Sequence, residues 1–122
     1  MAGTYRELVA WQKAMDLAEL VYRVTAQFPV EERYGLTSQM RRSAASIPAN
    51  IAEGQGRETS GAFVQFLRVA QGSLKELETH SLLSERLGYL AGTDAKLTLT
   101  QCGEVGRILR ALIRAVQRKD NS

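Results

Sequence analysis

Four arginines near the carboxyl end are the residues of this sequence that are best suited to bind a ligand. They recur at spacings of three and four residues, at Arg107, Arg110, Arg114 and Arg118. On a helix this spacing places them within an arc of about 80°. A guanidinium group is permanently charged, and its planar fork of donors matches the oxygens of a phosphate. We call these four residues the arginine ridge. It is either a solvated helix face or an anion-binding surface.

The distribution of charge favours the anion-binding interpretation. The chain has 122 residues and a net charge of +3, but residues 105–122 alone hold five basic side chains and one acidic one. Such an asymmetry is typical of a segment that contacts nucleic acid. Aromatic residues are absent between the arginines of the ridge, so base stacking is not indicated there. We therefore expect contacts to the phosphate backbone of RNA or DNA, with weak sequence specificity.

The sequence offers little for catalysis or metal binding. It has one histidine, His80, and one cysteine, Cys102, whereas a structural zinc site normally takes four ligands. The paired Glu-x-x-His motifs of di-iron bundles are absent, since position 77 is leucine. The segment GQG at 54–56 lacks the Lys-Ser/Thr of a phosphate loop, and helix capping explains it better. We expect a protein without enzymatic activity, cofactor or metal.

Composition also bears on the compartment. A single cysteine excludes an intrachain disulfide. The first residues, MAGTYREL, do not resemble a secretory signal, and the sequence has no apolar run near the roughly 20 residues that span a bilayer. These features predict a soluble, cytoplasmic protein.

Apolar residues at spacings of three and four predict four helices, over about 5–28, 37–54, 60–87 and 94–118. Thr4 and Glu7 form a capping box before the first helix, and Thr59 or Ser60 caps the third. Phe63, Ala70 and Leu77 lie seven residues apart, which favours nearly parallel helices. We therefore predict one all-α domain over residues 1–122, an up-down-up-down four-helix bundle with a left-handed supercoil.

The stretch SIPANIAEG, residues 46–54, places a proline inside the second predicted helix. Pro48 either ends that helix or kinks it, and the apolar spacing that continues beyond it favours a kink. Ser46 and Asn50 are candidates to form hydrogen bonds with the carbonyls that the proline frees. Gly54 is a candidate to end the helix in a left-handed conformation. Alternatively, Asn50 or Glu53 contacts a ligand or partner.

Three further residues on the third helix point away from its apolar stripe, namely Val69, Gly72 and Leu83. Glycine inside a helix costs about 1 kcal/mol relative to alanine. These residues predict a contact with another subunit, although scattered apolar surface residues would look the same.

Three segments carry a family resemblance: VAWQKAMDLAELVYRVTAQFP, ERYGLTSQMRRSAASIPANIAEGQGR and FLRVAQGSLKELETH. Together they resemble the four-helix-bundle family of 23S rRNA intervening-sequence proteins. The bundle is also similar to the accessory variability determinant of diversity-generating retroelements. The positions that coincide with the family pattern are Arg41, Arg42, Ser46, Pro48, Asn50, Glu53, Gly54, Arg57, Gly72, Ser73 and Glu76.

The resemblance implies a homopentamer that binds nucleic acid, without established catalysis. Our leading hypothesis is therefore a non-enzymatic oligomer that binds RNA or DNA through the arginine ridge, assisted by Arg41, Arg42 and Arg57. The alternative is a protein-interaction scaffold that docks a partner such as a polymerase. An RNA-processing nuclease is a third possibility, suggested by the rRNA connection alone.

Overall fold

The computed structural model describes residues 3–120, which form four α-helices and two short 3-10 turns. The helices are α1 (Val9–Thr25), α2 (Leu36–Gln55), α3 (Ser60–Arg86) and α4 (Gly92–Asp120), and the turns are Tyr5–Glu7 and Val30–Glu32. Within this described part there is no strand. The prediction of an all-α four-helix bundle is confirmed.

Successive helices run antiparallel, as contacts between their ends show. Arg41 near the start of α2 reaches Thr25 at the end of α1, and Gly54 near the end of α2 abuts Phe66 near the start of α3. Helix α4 closes the bundle by packing against both α3 and α1. Across residues 3–120 no Cα atoms of the diagonal pairs, α1 with α3 and α2 with α4, lie within 8 Å of each other. This arrangement matters for the site, because basic residues on α2 and α4 belong to different sides of the molecule.

The core is built from the apolar stripes of all four helices. Leu17, Ile47, Leu77 and Leu109 are completely buried, one from each helix. Where the stripe of α3 turns to serine, the side chains are still buried: the Ser81 hydroxyl donates to the Leu77 carbonyl at 2.8 Å, and the Ser84 hydroxyl to Met40 Sδ at 3.5 Å. Small residues thus extend the packed face of α3.

The first helix is shorter than the predicted 5–28. The Thr4 hydroxyl accepts a hydrogen bond from the Arg6 amide at 3.2 Å, so it caps the 3-10 turn and not α1. Leu8 then adopts an extended conformation, and α1 begins at Val9. At its other end α1 stops at Thr25, three residues earlier than predicted. The Thr4–Glu7 pattern predicts a helix start, but it does not show that the element it caps is a separate 3-10 turn.

The remaining helix boundaries follow local capping. The Thr59 hydroxyl accepts from the Ala62 amide at 3.1 Å and caps α3, as predicted. The α3 end is closed by Gly88, whose φ of 80° lies in the left-handed region. There the Tyr89 amide bonds the Ser84 carbonyl and the Gly88 amide bonds the Glu85 carbonyl, the Schellman pattern. Asp94 lies in the first turn of α4, where its charge suits the helix dipole.

Candidate nucleic-acid interface

The arginine ridge lies on the outside of α4, and all four of its side chains are exposed. Among residues 3–120 there are three ion pairs, Lys13 with Glu104, Arg57 with Glu53 and Lys75 with Glu78, and none uses an arginine of the ridge. The four guanidinium groups therefore present positive charge that no carboxylate neutralises within the described chain.

Two arginines of the ridge also line a groove between α3 and α4. This groove, which we call the α3/α4 groove, has a volume of about 520 Å³. Arg107 and Arg110 approach it from α4 and Lys75 from α3. Glu78 also lines it, with its carboxylate 3.0 Å from the Lys75 ammonium. The groove carries a net positive charge and continues the surface of the ridge.

Glycines line the α3/α4 groove on both helices, at Gly72, Gly103 and Gly106. A Cβ added to Gly106 would lie 3.3 Å from Leu74, so packing accounts for this glycine. At Gly72 an added Cβ would meet no atom within 4 Å, and at Gly103 it would meet only the Arg107 guanidinium at 3.7 Å. Because an interior glycine costs a helix about 1 kcal/mol, these two weaken their helices without serving the packing of the bundle.

Two basic residues of α3 that we did not single out from the sequence lie along the same seam. Lys75 lines the α3/α4 groove, and Arg68 lines a smaller cavity of about 340 Å³ together with Gln117 and Asp120 of α4. Their separation of seven residues, which returns to the same side of a helix, is the signal that would have identified them.

Arg41 has a structural environment. Its Nε donates to the Thr25 hydroxyl at 2.9 Å and its Nη2 to the Tyr22 carbonyl at 3.2 Å. Its guanidinium lies 4.7 Å from the centre of the Tyr22 ring. Arg41 thus satisfies a carbonyl in the last turn of α1 and fastens α2 to it. Its neighbour Arg42 is exposed.

Arg57 contacts its own bundle as well. It pairs with Glu53 at 3.1 Å, and its guanidinium lies 4.7 Å from the centre of the Phe66 ring on α3. Both members of the ion pair are about half exposed, with fractions of 48% and 55%. Because Arg41 and Arg42 lie on α2, which is diagonal to α4, they do not share one surface with the arginine ridge. Arg57 lies in the loop between α2 and α3.

Helix α2 continues through Pro48, as the apolar spacing predicted. The Asn50 side-chain amide donates to the Ser46 carbonyl at 2.8 Å and to its hydroxyl at 2.9 Å, and the Ser46 and Ser73 hydroxyls lie 2.8 Å apart. The predicted bond from Asn50 to backbone is therefore present, although it reaches Ser46 and not Ala44, the carbonyl freed by the proline. The Asn50–Ser46–Ser73 chain connects α2 to α3.

The prediction that Gly54 ends α2 in a left-handed conformation is wrong. Gly54 lies inside the helix, which continues to Gln55, and within residues 3–120 only Gly88 has a positive φ. Gly54 is instead buried against α3, where an added Cβ would lie 2.7 Å from the Phe66 Cβ and 3.0 Å from the Phe63 ring. It is required by the close approach of the two helices, which the sequence of α2 alone could not reveal.

The three predicted oligomer contacts lie on the exposed side of α3. Val69 and Leu83 are 53% and 44% exposed, and Gly72 borders the α3/α4 groove. Their shared exposure agrees with a surface available to another subunit. The contact itself stays a prediction.

The other chemically capable residues are dispersed. No group of three or more histidine, cysteine, aspartate or glutamate side chains that could hold a metal occurs in residues 3–120. Cys102 is buried, and this burial raises the pKa of its thiol to about 12. The Nδ1 of His80 is buried without a hydrogen-bond partner. None of the helices over residues 3–120 has the length and hydropathy needed to cross a membrane.

Two comparisons with known proteins give matches, one with a family model and one with solved structures. The family model of the 23S rRNA-intervening sequence protein matches residues 6–111. The fold is similar to a crystal structure, at 1.70 Å resolution, of a protein with unknown function from the S23 ribosomal protein family from Bacteroides thetaiotaomicron VPI-5482. The TM-score is 0.78 at 22% sequence identity, with 86% of this chain and 98% of that chain covered. No curated protein matches the chain. Because the family model spans most of its length, the chain belongs to the 23S rRNA-intervening sequence protein family.

Proposed function

We propose that this protein is a non-enzymatic nucleic-acid-binding bundle whose interface is the arginine ridge together with the α3/α4 groove. The observation that carries the proposal is the set of four exposed ridge arginines, none of them in an ion pair within residues 3–120. Unpaired arginines on one helix face suit a polyanion because each can bind phosphate without first breaking a salt bridge. The family's name, which refers to intervening sequences of 23S rRNA, agrees with RNA as a ligand.

The glycines of the groove support the same interface. Gly72 and Gly103 have space where a side chain would project, so a phosphodiester backbone could approach the helix surfaces closely between Lys75, Arg107 and Arg110. A single protomer offers a modest patch. We propose a homopentamer, in which five copies of that patch would raise the avidity for one long strand.

A charge-reversal experiment tests the interface. The double variant Arg110→Glu/Arg114→Glu changes the ridge, and Arg86→Glu/Lys96→Glu, at exposed sites toward the other end of the bundle, changes the net charge equally. Fluorescence anisotropy with a labelled single-stranded RNA at low salt should show at least about tenfold weaker binding for the ridge variant. Circular dichroism should show unchanged helicity. Equal losses in both variants, or no binding by the unchanged protein, would contradict the proposal.

The mass of the protein in solution tests the proposed pentamer. Sedimentation equilibrium should give five times the mass of one chain, and Val69→Glu/Leu83→Glu should lower it. An unchanged mass in that variant would place the seam elsewhere, and a monomeric starting protein would exclude the pentamer.

A scaffold that docks another protein is the second candidate. It is favoured by an apolar groove of about 590 Å³ between α1 and α2, whose lining includes Trp11, Met15, Ala49 and Pro48. Capture of a polymerase that survives nuclease treatment, and that is lost in Met15→Asp, would support this function over the first.

A further inference from the structure

Two tyrosine–arginine pairs lie side by side where α1 ends and α2 begins. The Arg41 guanidinium lies 4.7 Å from the centre of the Tyr22 ring, and the Arg33 guanidinium 5.7 Å from that of Tyr34. We call Tyr22, Arg33, Tyr34, Arg41 and Arg42 the tyrosine–arginine patch. It combines the two features that the arginine ridge does not combine, positive charge and aromatic rings.

All five residues of the patch line one groove of about 420 Å³, together with Thr37, Ser38 and Ala45. The charged residues of this lining are three arginines, without an acid. Glu32, which directly precedes Arg33, is engaged elsewhere: its carboxylate accepts from the Leu36 amide at 3.0 Å and from the Tyr89 hydroxyl at 3.3 Å. The groove therefore favours an anionic ligand.

Tyr34 is the residue of the patch that the fold explains least. It is 87% exposed, so its ring contributes almost nothing to the core, whereas Tyr22 is 48% exposed and holds Arg41 in place. An exposed aromatic ring among arginines is the arrangement by which proteins stack unpaired bases while neutralising the adjoining phosphates. A protein partner would also accept an aromatic ring, but three arginines in one groove favour a polyanion.

A second groove of about 360 Å³ continues from the first and shares Tyr34, Ser38 and Arg42 with it. Its other lining residues are polar: Gln39, Ser43, Ser46, Ser73 and Glu76. Amide, hydroxyl and carboxylate groups can bond the edges of a base whose face is stacked nearby. Such edges are free in a single strand and are engaged in a duplex.

We propose that the tyrosine–arginine patch binds unpaired bases of a single-stranded nucleic acid. Tyr34 supplies the stacking surface, and Arg33 and Arg42 contact the flanking phosphates. Arg41 acts as a positioning residue that fixes Tyr22 at the side of the groove. This inference rests on the proposed function and adds the ligand class, a strand with accessible bases, and a second contact surface on the side of the bundle away from α4.

The test compares a labelled oligothymidylate with the same oligonucleotide in which the bases are replaced by abasic sites. The unchanged protein should bind the strand with bases about tenfold more tightly, since stacking of this kind is tolerant of sequence but requires a base. Tyr34→Ala should remove this preference without changing the salt dependence of binding, and Tyr34→Phe should retain it. Val30→Ala, at another exposed apolar residue before α2, is the matched control and should bind like the unchanged protein.

The outcomes separate this inference from the proposed function. If the protein binds both oligonucleotides equally through the arginine ridge, or if Tyr34→Ala keeps the preference for bases, the stacking site is wrong and the proposed function stands. If the protein binds neither oligonucleotide at low salt, the proposed function fails and the stacking site fails with it.

Discussion

Gly54 and Gly61 show that glycine serves different purposes at two nearby positions of this chain. Gly54 is buried where α2 meets α3, and an added Cβ would lie 2.7 Å from the Phe66 Cβ. Gly61, in the first turn of α3, is exposed, and an added Cβ would meet nothing within 4 Å. The environment of each glycine, and not its identity, decides the effect of a methyl group.

Alanine at each position should therefore act in opposite directions. Gly54→Ala should lower the free energy of unfolding by about 1–3 kcal/mol, because overpacking against a Cβ requires a shift of backbone. Gly61→Ala should leave it unchanged or raise it by up to about 1 kcal/mol, because alanine favours the helix. Urea denaturation followed by circular dichroism measures both. Equal effects would contradict the close approach of α2 and α3.

Cys102 makes the stability of the fold sensitive to alkaline pH. Burial raises the pKa of its thiol from 9.0 to about 12, so the unfolded chain releases the proton at a lower pH than the folded one. The contribution of the buried, protonated thiol to the stability of the fold is therefore complete below pH 9, and it is lost as the pH rises toward 12. At pH 10 this linkage should have lowered the free energy of unfolding by about 1 kcal/mol.

The variant Cys102→Ala isolates the contribution of the thiol. Lysine and tyrosine groups also titrate at alkaline pH, but they are the same in the variant and in the unchanged protein. Between pH 8 and pH 10 the stability of the variant, measured by urea denaturation, should fall less than that of the unchanged protein, by the same amount of about 1 kcal/mol. Parallel pH profiles would show that the thiol does not contribute.

At the scale of the elements, the sequence predicted the four helices and missed how their ends are fastened. Apolar spacing is a local property of the sequence, so it located each helix and correctly predicted that α2 continues beyond Pro48. The fastening of α1 to α2 depends on Arg41, which bonds residues 16 and 19 positions earlier. Such contacts depend on tertiary geometry, as does the role of Gly54 against Phe66.

Adjacent arginines of α2 provide the test of that fastening. Arg41→Ala should lower the free energy of unfolding by about 1–2 kcal/mol, because it removes the hydrogen bonds that Arg41 donates to the Thr25 hydroxyl and the Tyr22 carbonyl, together with its contact with the Tyr22 ring. Arg42→Ala should change it by less than about 0.5 kcal/mol, since Arg42 is exposed. Thermal unfolding compares the two. A similar loss of stability in both variants would show that the effect comes from removing a positive charge and not from the hydrogen bonds of Arg41.

At the scale of the whole molecule, the bundle separates the basic residues that the sequence grouped together. The arginine ridge, with Lys75 and Arg68, follows the seam of α3 and α4, whereas Arg41 and Arg42 lie on the diagonal helix α2. The ridge could be predicted because its spacing is local. The α3/α4 groove and the tyrosine–arginine patch could not, since the groove is formed by two helices and the patch by α1, α2 and the segment between them.

The salt dependence of RNA binding tests the central claim most directly. Each arginine of the ridge that neutralises a phosphate of a single strand should add about −0.7 to the slope of log affinity against log salt concentration, or about −3 for all four. We predict a slope at least that steep for the unchanged protein, and a clearly shallower one for Arg110→Glu/Arg114→Glu. A slope near zero, or identical slopes for both proteins, would contradict a phosphate-binding ridge.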